Sequence, residues 1–265
     1  MNFNKSQTWA IHHKDGPMLV LAGPGSGKTY TITRRIRCLI EEKGVDPDSI
    51  LVITFTKAAA QEMKSRFRSL SQGKNYPVSF GTFHAVFYHI LKTTCHYRSG
   101  SILSEFEKKE ILRSILIRLQ ESDCDEEELE SLISQISKIK NDPKEFTQDQ
   151  MRLYHPDFSM ILQRYQQEIA RRKKMDFDDM ILNCKRLFMD APEVLSAWQK
   201  KFRYILIDEF QDINSHQYEV VKMLAAPENN LFVVGDDDQA IYSFRGSRPE
   251  YMREFLDDFA DAEQV

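Results

Sequence analysis

The sequence predicts an α/β fold: a parallel sheet with helices on both faces, interrupted by an all-helical insertion. Three observations carry this. Short apolar runs alternate with helical patterns near both ends of the chain. Those runs are apolar throughout, as strands covered on both faces must be. Between them lies a long stretch with helical spacing and no glycine.

The first strand is "MLVLA" (18–22), and "ILVIT" (50–54) is the second. "PVSF" (77–80) reads as a further, weaker strand, and "YILI" (204–207) and "LFVV" (231–234) complete a set of five. Helical patterns fill 28–43, 57–71 and 82–93, each between two strands. From Ser101 to Met175 there are two prolines, no glycine and apolar residues at helical spacing, in "EKKEILRSILIRL", "EELESLISQISKI" and "FSMILQRYQQEIA". The expected organisation is therefore a sheet domain in two pieces, 1–100 and 176–265, around a helical insertion at 101–175. A last helix is expected over "YMREFLDDF".

The 265 residues are 42% hydrophobic and 29% charged, which suits a folded protein of one or two domains with a sizeable core. The start, "MNFNKSQTWAIHH", has no signal-peptide core, and no apolar run reaches the length of a membrane span. The four cysteines, Cys38, Cys95, Cys124 and Cys184, are scattered without C-x-x-C spacing. They indicate neither a disulfide framework nor a zinc site, and a reducing cytoplasm is the expected location. Net charge is −4. Bulk charge thus argues against a duplex binder held by a basic face. Charge is nonetheless uneven: "DCDEEELE" is acidic, while "RRIR", "KSRFR" and "RRKK" are basic.

The strongest chemical signal is "MLVLAGPGSGKTYTITRRI", an apolar strand running into a glycine-rich turn that opens a helix. Glycines let backbone N–H groups turn inward around phosphate, and the helix N-terminus adds its dipole. The loop residues Ala22, Gly23, Pro24, Gly25, Ser26 and Gly27 would cradle a nucleotide. Lys28 would reach its β- and γ-phosphates, and Thr29 would hold Mg²⁺. Ala22 stands where the pattern expects its first glycine, which alanine tolerates if φ is negative. "YILIDEFQD" ends a strand in two acids. Asp208 can hold Mg²⁺, directly or through water, and Glu209 can act as general base toward the attacking water. In a parallel sheet, ligand sites lie at the carboxyl ends of strands. Gln239, in the "GDDDQ" that leaves "LFVV", can then sense the γ-phosphate.

The segments "AGPGSGKT", "VITFTKAAAQEMKSR", "FGTFHAVF", "MDFDDM", "YILIDEFQD" and "VVGDDDQAIYSFRGS" together resemble the UvrD/Rep-like DNA helicases of superfamily 1, in that family's order and spacing. The resemblance covers nearly the whole chain. It implies a RecA-like motor domain of the P-loop NTPase class, split by a helical subdomain. It implies an ATP- and Mg²⁺-dependent motor on single-stranded DNA and duplex junctions, usually moving 3′ to 5′. Gln7 resembles the glutamine that reads the adenine edge; "NKSQ" is equally a capping box that would start a helix. Phe55, Thr56, His84, Tyr242 and Phe244 match positions that face DNA, where aromatic faces stack on bases without reading sequence. His84 has a second reading, as cap of the helix that follows. Arg245 would link the γ-phosphate side to the DNA side. In "DFDD" (176–179), Asp176 reads as a helix cap with Asp178 and Asp179 at the helix's positive end. "RRKK" (171–174) is either a contact to the DNA backbone or a solvated helix end.

Two positions depart from the family: Phe244 stands where tryptophan is common, and Lys57 where asparagine is. Family members also continue into a second motor domain that supplies an adenine-stacking residue and arginines for the transferring phosphoryl group. Little turnover is therefore expected of these residues alone. Two other readings remain at this point: a different P-loop ATPase, and a non-catalytic ATP-binding module.

Overall fold

A computed structural model describes residues 3–13, 15–95, 97, 99–120, 125–141, 155–236 and 250–265. Its centre is a six-stranded sheet in the order β3-β2-β4-β5-β1-β6. The strands are β1 Met18–Leu21, β2 Ile50–Thr54, β3 Ser79–Thr82, β4 Tyr204–Ile207, β5 Leu231–Gly235 and β6 Glu263–Gln264. Every pairing is parallel.

The alternation of side chains along a strand divides the core in two. Met18, Val20, Ile50, Val52, Leu206, Phe232 and Val234 face one side of the sheet, packing with Ile32, Ile36, Met63 and Phe67. These come from α2 (Lys28–Glu41) and α3 (Lys57–Leu70). Leu19, Leu51, Ile53, Ile205, Ile207, Leu231 and Val233 face the other, against α4 (Phe83–Cys95) and helices that follow the insertion. The inner strands β1, β2, β4 and β5 are apolar over nearly their whole length because both faces are covered.

Two strand expectations are corrected. The third strand runs over 79–82 rather than 77–80; Pro77 has no N–H for the ladder, and Val78 is buried without joining it. A sixth strand, β6, lies on β1 at the sheet edge. At two exposed, charged or polar residues it has no apolar pattern to announce it.

In the middle of the chain, α5 (Glu105–Gln120), α6 (Glu126–Asn141) and α7 (Phe158–Arg171) share an apolar cluster of their own, with Leu112, Leu116, Leu129, Ile136, Ile161 and Tyr165 at its centre. The chain enters and leaves this region side by side. Ile102 and Met175 form a parallel bridge, and the Met175 carbonyl accepts from the Leu103 amide at 2.8 Å. After it come α8 (Phe177–Asp190), α9 (Pro192–Lys201) and α10 (Ser215–Ala225), then α11 (Tyr251–Asp258) near the end.

A buried polar network docks α6 onto the sheet domain. Lys140 donates to Asp176 and to Asp179, each at 2.7 Å, and the Tyr165 hydroxyl donates to Asp176 at 2.9 Å. Burial alone would push the Asp176 carboxyl up. The cations Lys140 and Lys108 and the hydrogen bonds win and hold it at about 2. Next to it, the Asn141 amide donates to Asp178 at 2.8 Å and accepts from Asn214 at 2.9 Å. Asp176 also caps α8 in a reciprocal capping box with Asp179. In "RRKK", Arg171 and Arg172 pair with Glu168, and Lys174 pairs with Glu107.

Candidate functional site

β5 lies between β1 and β4, so the loop after β1 and the acids after β4 flank the exit of β5. The loop Ala22–Gly27 is shaped by Gly25 at φ 71° and Gly27 at φ 85°, a left-handed region that strains any residue with a Cβ. Ala22 has no positive φ, so its departure from glycine is accommodated. Its N–H donates to the Gly235 carbonyl at 2.9 Å, which ties the loop to β5.

Helix α2 then starts at Lys28 with no side-chain cap. By contrast α1 (Lys5–His12), α3, α8 and α10 are capped by Asn4, Thr56, Asp176 and Asn214. An uncapped start after a glycine loop leaves first-turn N–H groups to an anion, with the helix dipole behind them. Thr29 occupies the second position of this helix.

The Lys28 ammonium sits 3.1 Å from Glu209 Oε2. Glu209 adopts φ 54°, uncommon for a residue with a side chain. The same oxygen accepts from Gln211 Nε2 at 2.7 Å, while the Glu209 N–H donates to Asp208 Oδ1 at 3.1 Å. Gln211 reaches further: its Oε1 accepts from the Asp236 N–H at 3.0 Å. Gly235 makes room, since a Cβ there would lie 2.9 Å from Gln211 Oε1. Gln211 thus bridges the end of β4 to the end of β5. The sequence reading gave it no role; its signal was the Q of D-E-F-Q-D, two residues past the acid it holds.

Asp208 is buried at the tip of β4. Burial, then the charge of Glu209, push its carboxyl up to about 6, against the pull of Lys28. Asp212 is raised to about 6 by the same causes, and its Oδ1 is buried without a hydrogen-bond partner among the described residues. Such an excess of carboxylate over cation is an environment a divalent ion would relieve. The hard oxygens of Asp208 and Thr29 suit Mg²⁺.

Gln7 takes up its capping-box reading, and its side chain also reaches the loop. Its carbonyl accepts from Asn4 N–H in the capping box, and its Nε2 donates to the Ser26 carbonyl of the loop at 3.0 Å. One N–H and one lone pair of the amide remain for a base edge. It lines a cavity of about 180 Å³ together with Ala22, Gly23, Ser26 and Lys28.

A larger cavity, about 660 Å³, opens between the carboxyl ends of β2 and β3 and the helices α5 and α6. Phe55, His84 and Lys57 line it. Thr56 is present as the α3 cap, its hydroxyl accepting from Ala59 N–H at 3.1 Å. His84 does not cap α4. Thr82 does, accepting from Ala85 N–H at 3.2 Å, because a hydroxyl one residue before the helix reaches a first-turn N–H. His84 instead meets the edge of Phe177, ring centroids 5.6 Å apart at 87°. Phe177, 45% exposed and also in the cavity wall, is a candidate the sequence reading passed over as part of a helix start. Gln239, Tyr242, Phe244 and Arg245 lie outside the described residues.

The model of the UvrD/REP helicase N-terminal domain matches residues 3–260. The chain belongs to this family. Among similar helicase-family proteins, YjcD of Bacillus subtilis (strain 168) is 37% identical over 282 residues. The ATP-dependent DNA helicases PcrA of Staphylococcus epidermidis and Staphylococcus aureus are each 36% identical over 271 residues. All of this chain is covered in each case, against 36% of YjcD and 37% of the PcrA proteins, so it spans little more than a third of these relatives' length. Among the described residues no helix is long and apolar enough to cross a membrane.

Proposed function

We propose that the chain is the ATP-binding motor part of a DNA helicase that couples ATP hydrolysis to movement on single-stranded DNA and to unwinding at duplex junctions. The observation that carries this is the Lys28–Glu209 contact across β5, with an uncapped helix start on one side and a strained acid on the other. Lys28 has a phosphate to bind and Glu209 a water to activate, and in the absence of nucleotide each neutralises the other. An arriving γ-phosphate draws Lys28 away, and Glu209 is left as a carboxylate still held by Gln211. Mg²⁺, held by Thr29 and Asp208, would neutralise charge on the β- and γ-phosphates. Gln7 faces the base, and Gln239, in the segment leaving β5, is the γ-phosphate sensor of the proposal.

Phe55, Thr56 and His84 form the DNA side, joined by Tyr242 and Phe244, with Arg245 linking the two sides. Residues 101–175 act as a helical subdomain within the motor domain 1–100 and 176–265. A second motor domain, as the family resemblance implies, would supply the remaining catalytic arginines, so turnover and unwinding belong to the intact protein.

The test is ATP hydrolysis by the intact protein with and without single-stranded DNA, repeated for Phe55→Ala. Stimulation by DNA that weakens in the variant, with unchanged ATP affinity, is the expected result. Hydrolysis indifferent to DNA would refute the motor reading.

A further inference from the structure

We propose that His12, Cys38 and Glu42 form a zinc site that clamps α1 to α2. Their ligand atoms, an imidazole nitrogen, a thiol sulfur and a carboxylate oxygen, all lie within 4.8 Å of one another. Tetrahedral Zn²⁺ with its usual bond lengths separates N from O by about 3.4 Å and S from N by about 3.6 Å. The observed His12 Nε2 to Glu42 Oε2 distance is 3.7 Å, so small side-chain movements close the set.

The tautomer is right for ligation. His12 Nδ1 lies 2.8 Å from the Thr8 carbonyl, which can only accept, so Nδ1 carries the proton and Nε2 presents its lone pair to the cluster. This is the outer hydrogen bond that metal-binding histidines make. Cys38 and Glu42 are one helical turn apart, and the Glu42 N–H still bonds the Cys38 carbonyl at 2.9 Å, so both point from one face of the helix. Cys38 is buried and in no disulfide, while His12 and Glu42 are exposed, which supplies an entry path. A surface ion pair of His12 with Glu42 would need no thiol beneath it; a soft donor under two harder ones is a transition-metal set.

Binding replaces the Cys38 thiol proton, released to buffer, with Zn²⁺, and no electrons move. Three protein ligands leave the fourth position to water. The clamp ties the end of α1, whose start carries Gln7, to the helix that begins with Lys28 and Thr29.

The probe is Co²⁺ followed by Zn²⁺, added to the metal-free intact protein under reducing conditions. A thiolate-to-Co²⁺ charge-transfer band that Zn²⁺ bleaches is expected, with a rise in melting temperature on adding Zn²⁺. Cys38→Ser should abolish the band. His12→Ala, a surface change that leaves folding intact, should weaken Zn²⁺ binding by about tenfold or more. Glu41→Gln, one residue away on another face, should leave it unchanged. No charge-transfer band in the parent, a band that survives Cys38→Ser, or Zn²⁺ affinity untouched by His12→Ala would each overturn the site.

Discussion

Asp208→Asn should make the nucleotide-free protein more stable at pH 8 while removing its response to Mg²⁺. The buried carboxyl is raised from 3.8 to about 6, mostly by burial and then by the charge of Glu209. A raised carboxyl pKa means the folded state holds its proton more tightly than the unfolded state does. The stability linked to that proton is fully present below about pH 4 and lost as pH rises through about 6. At about 1.4 kcal/mol per pH unit, ionised Asp208 destabilises the fold by about 3 kcal/mol at pH 8. Asparagine keeps the shape and still accepts the Glu209 N–H with its amide oxygen. Its NH₂ group gains no assured partner, which returns part of the benefit. The expected gain is therefore about 1–3 kcal/mol at pH 8 and close to zero at pH 4. Chemical denaturation of parent and variant at both pH values, without nucleotide or metal, measures it. Adding Mg·ATP at pH 8 should then stabilise the parent more than the variant, since the ion supplies the positive charge that Asp208 lacks. A variant less stable than the parent at pH 8, or a difference independent of pH, would refute this account of the strand tip.

Glu209→Gln in the intact protein should bind ATP and stop turnover, because the amide keeps its contacts but loses the base; hydrolysis at the parental rate would remove Glu209 from that role. Lys28→Ala should weaken Mg·ATP binding several-fold or more by calorimetry, with the fold retained. Gly235→Ala should destabilise by about 1–3 kcal/mol, because its Cβ would meet Gln211 Oε1 and Met252 Cε, each at 2.9 Å; a thermal melt checks it. Lys140→Met should cost about 3–5 kcal/mol by leaving buried Asp176 and half-buried Asp179 without their closest cation, and adding Asp176→Asn to it should recover part of that loss in the same denaturation assay.

The four inner strands, β1, β2, β4 and β5, were legible because both faces of the sheet are covered there, which makes them apolar over nearly their whole length. The phosphate loop was legible because its glycines are required by backbone conformation at Gly25 and Gly27. The capping box at Asn4 and the cap at Asp176 were legible because they are local, three residues from end to end. What escaped is contact made across the fold. Gln211 acts on Glu209 and Asp236 only because β4 and β5 are neighbours, and sequence order does not state that. Lys140 finds Asp176 only once α6 packs against the start of α8. Thr82 takes the place of His84 as the cap of α4 because the helix already begins at Phe83, which leaves His84 inside its first turn.

The position of β5 gives the candidate site its logic. β5 lies between the phosphate loop and the acidic strand tip, whose Lys28 and Glu209 meet 3.1 Å apart. Gly235 has no side chain there, so Gln211 can lie against the strand end and hold both the Glu209 carboxylate and the Asp236 N–H. Glu209 and the first residue after β5 are therefore joined through one side-chain amide. In the proposed motor, nucleotide would draw Lys28 off Glu209, and the acid would lose its closest cationic partner and keep this neutral one. Under that proposal Gln211 would carry the change in charge to the segment beginning at Asp236, whose N–H it holds. In the proposed motor, that same segment carries the phosphate sensor Gln239 and the stacking aromatics Tyr242 and Phe244, so grip on DNA changes within a few residues of the change in charge.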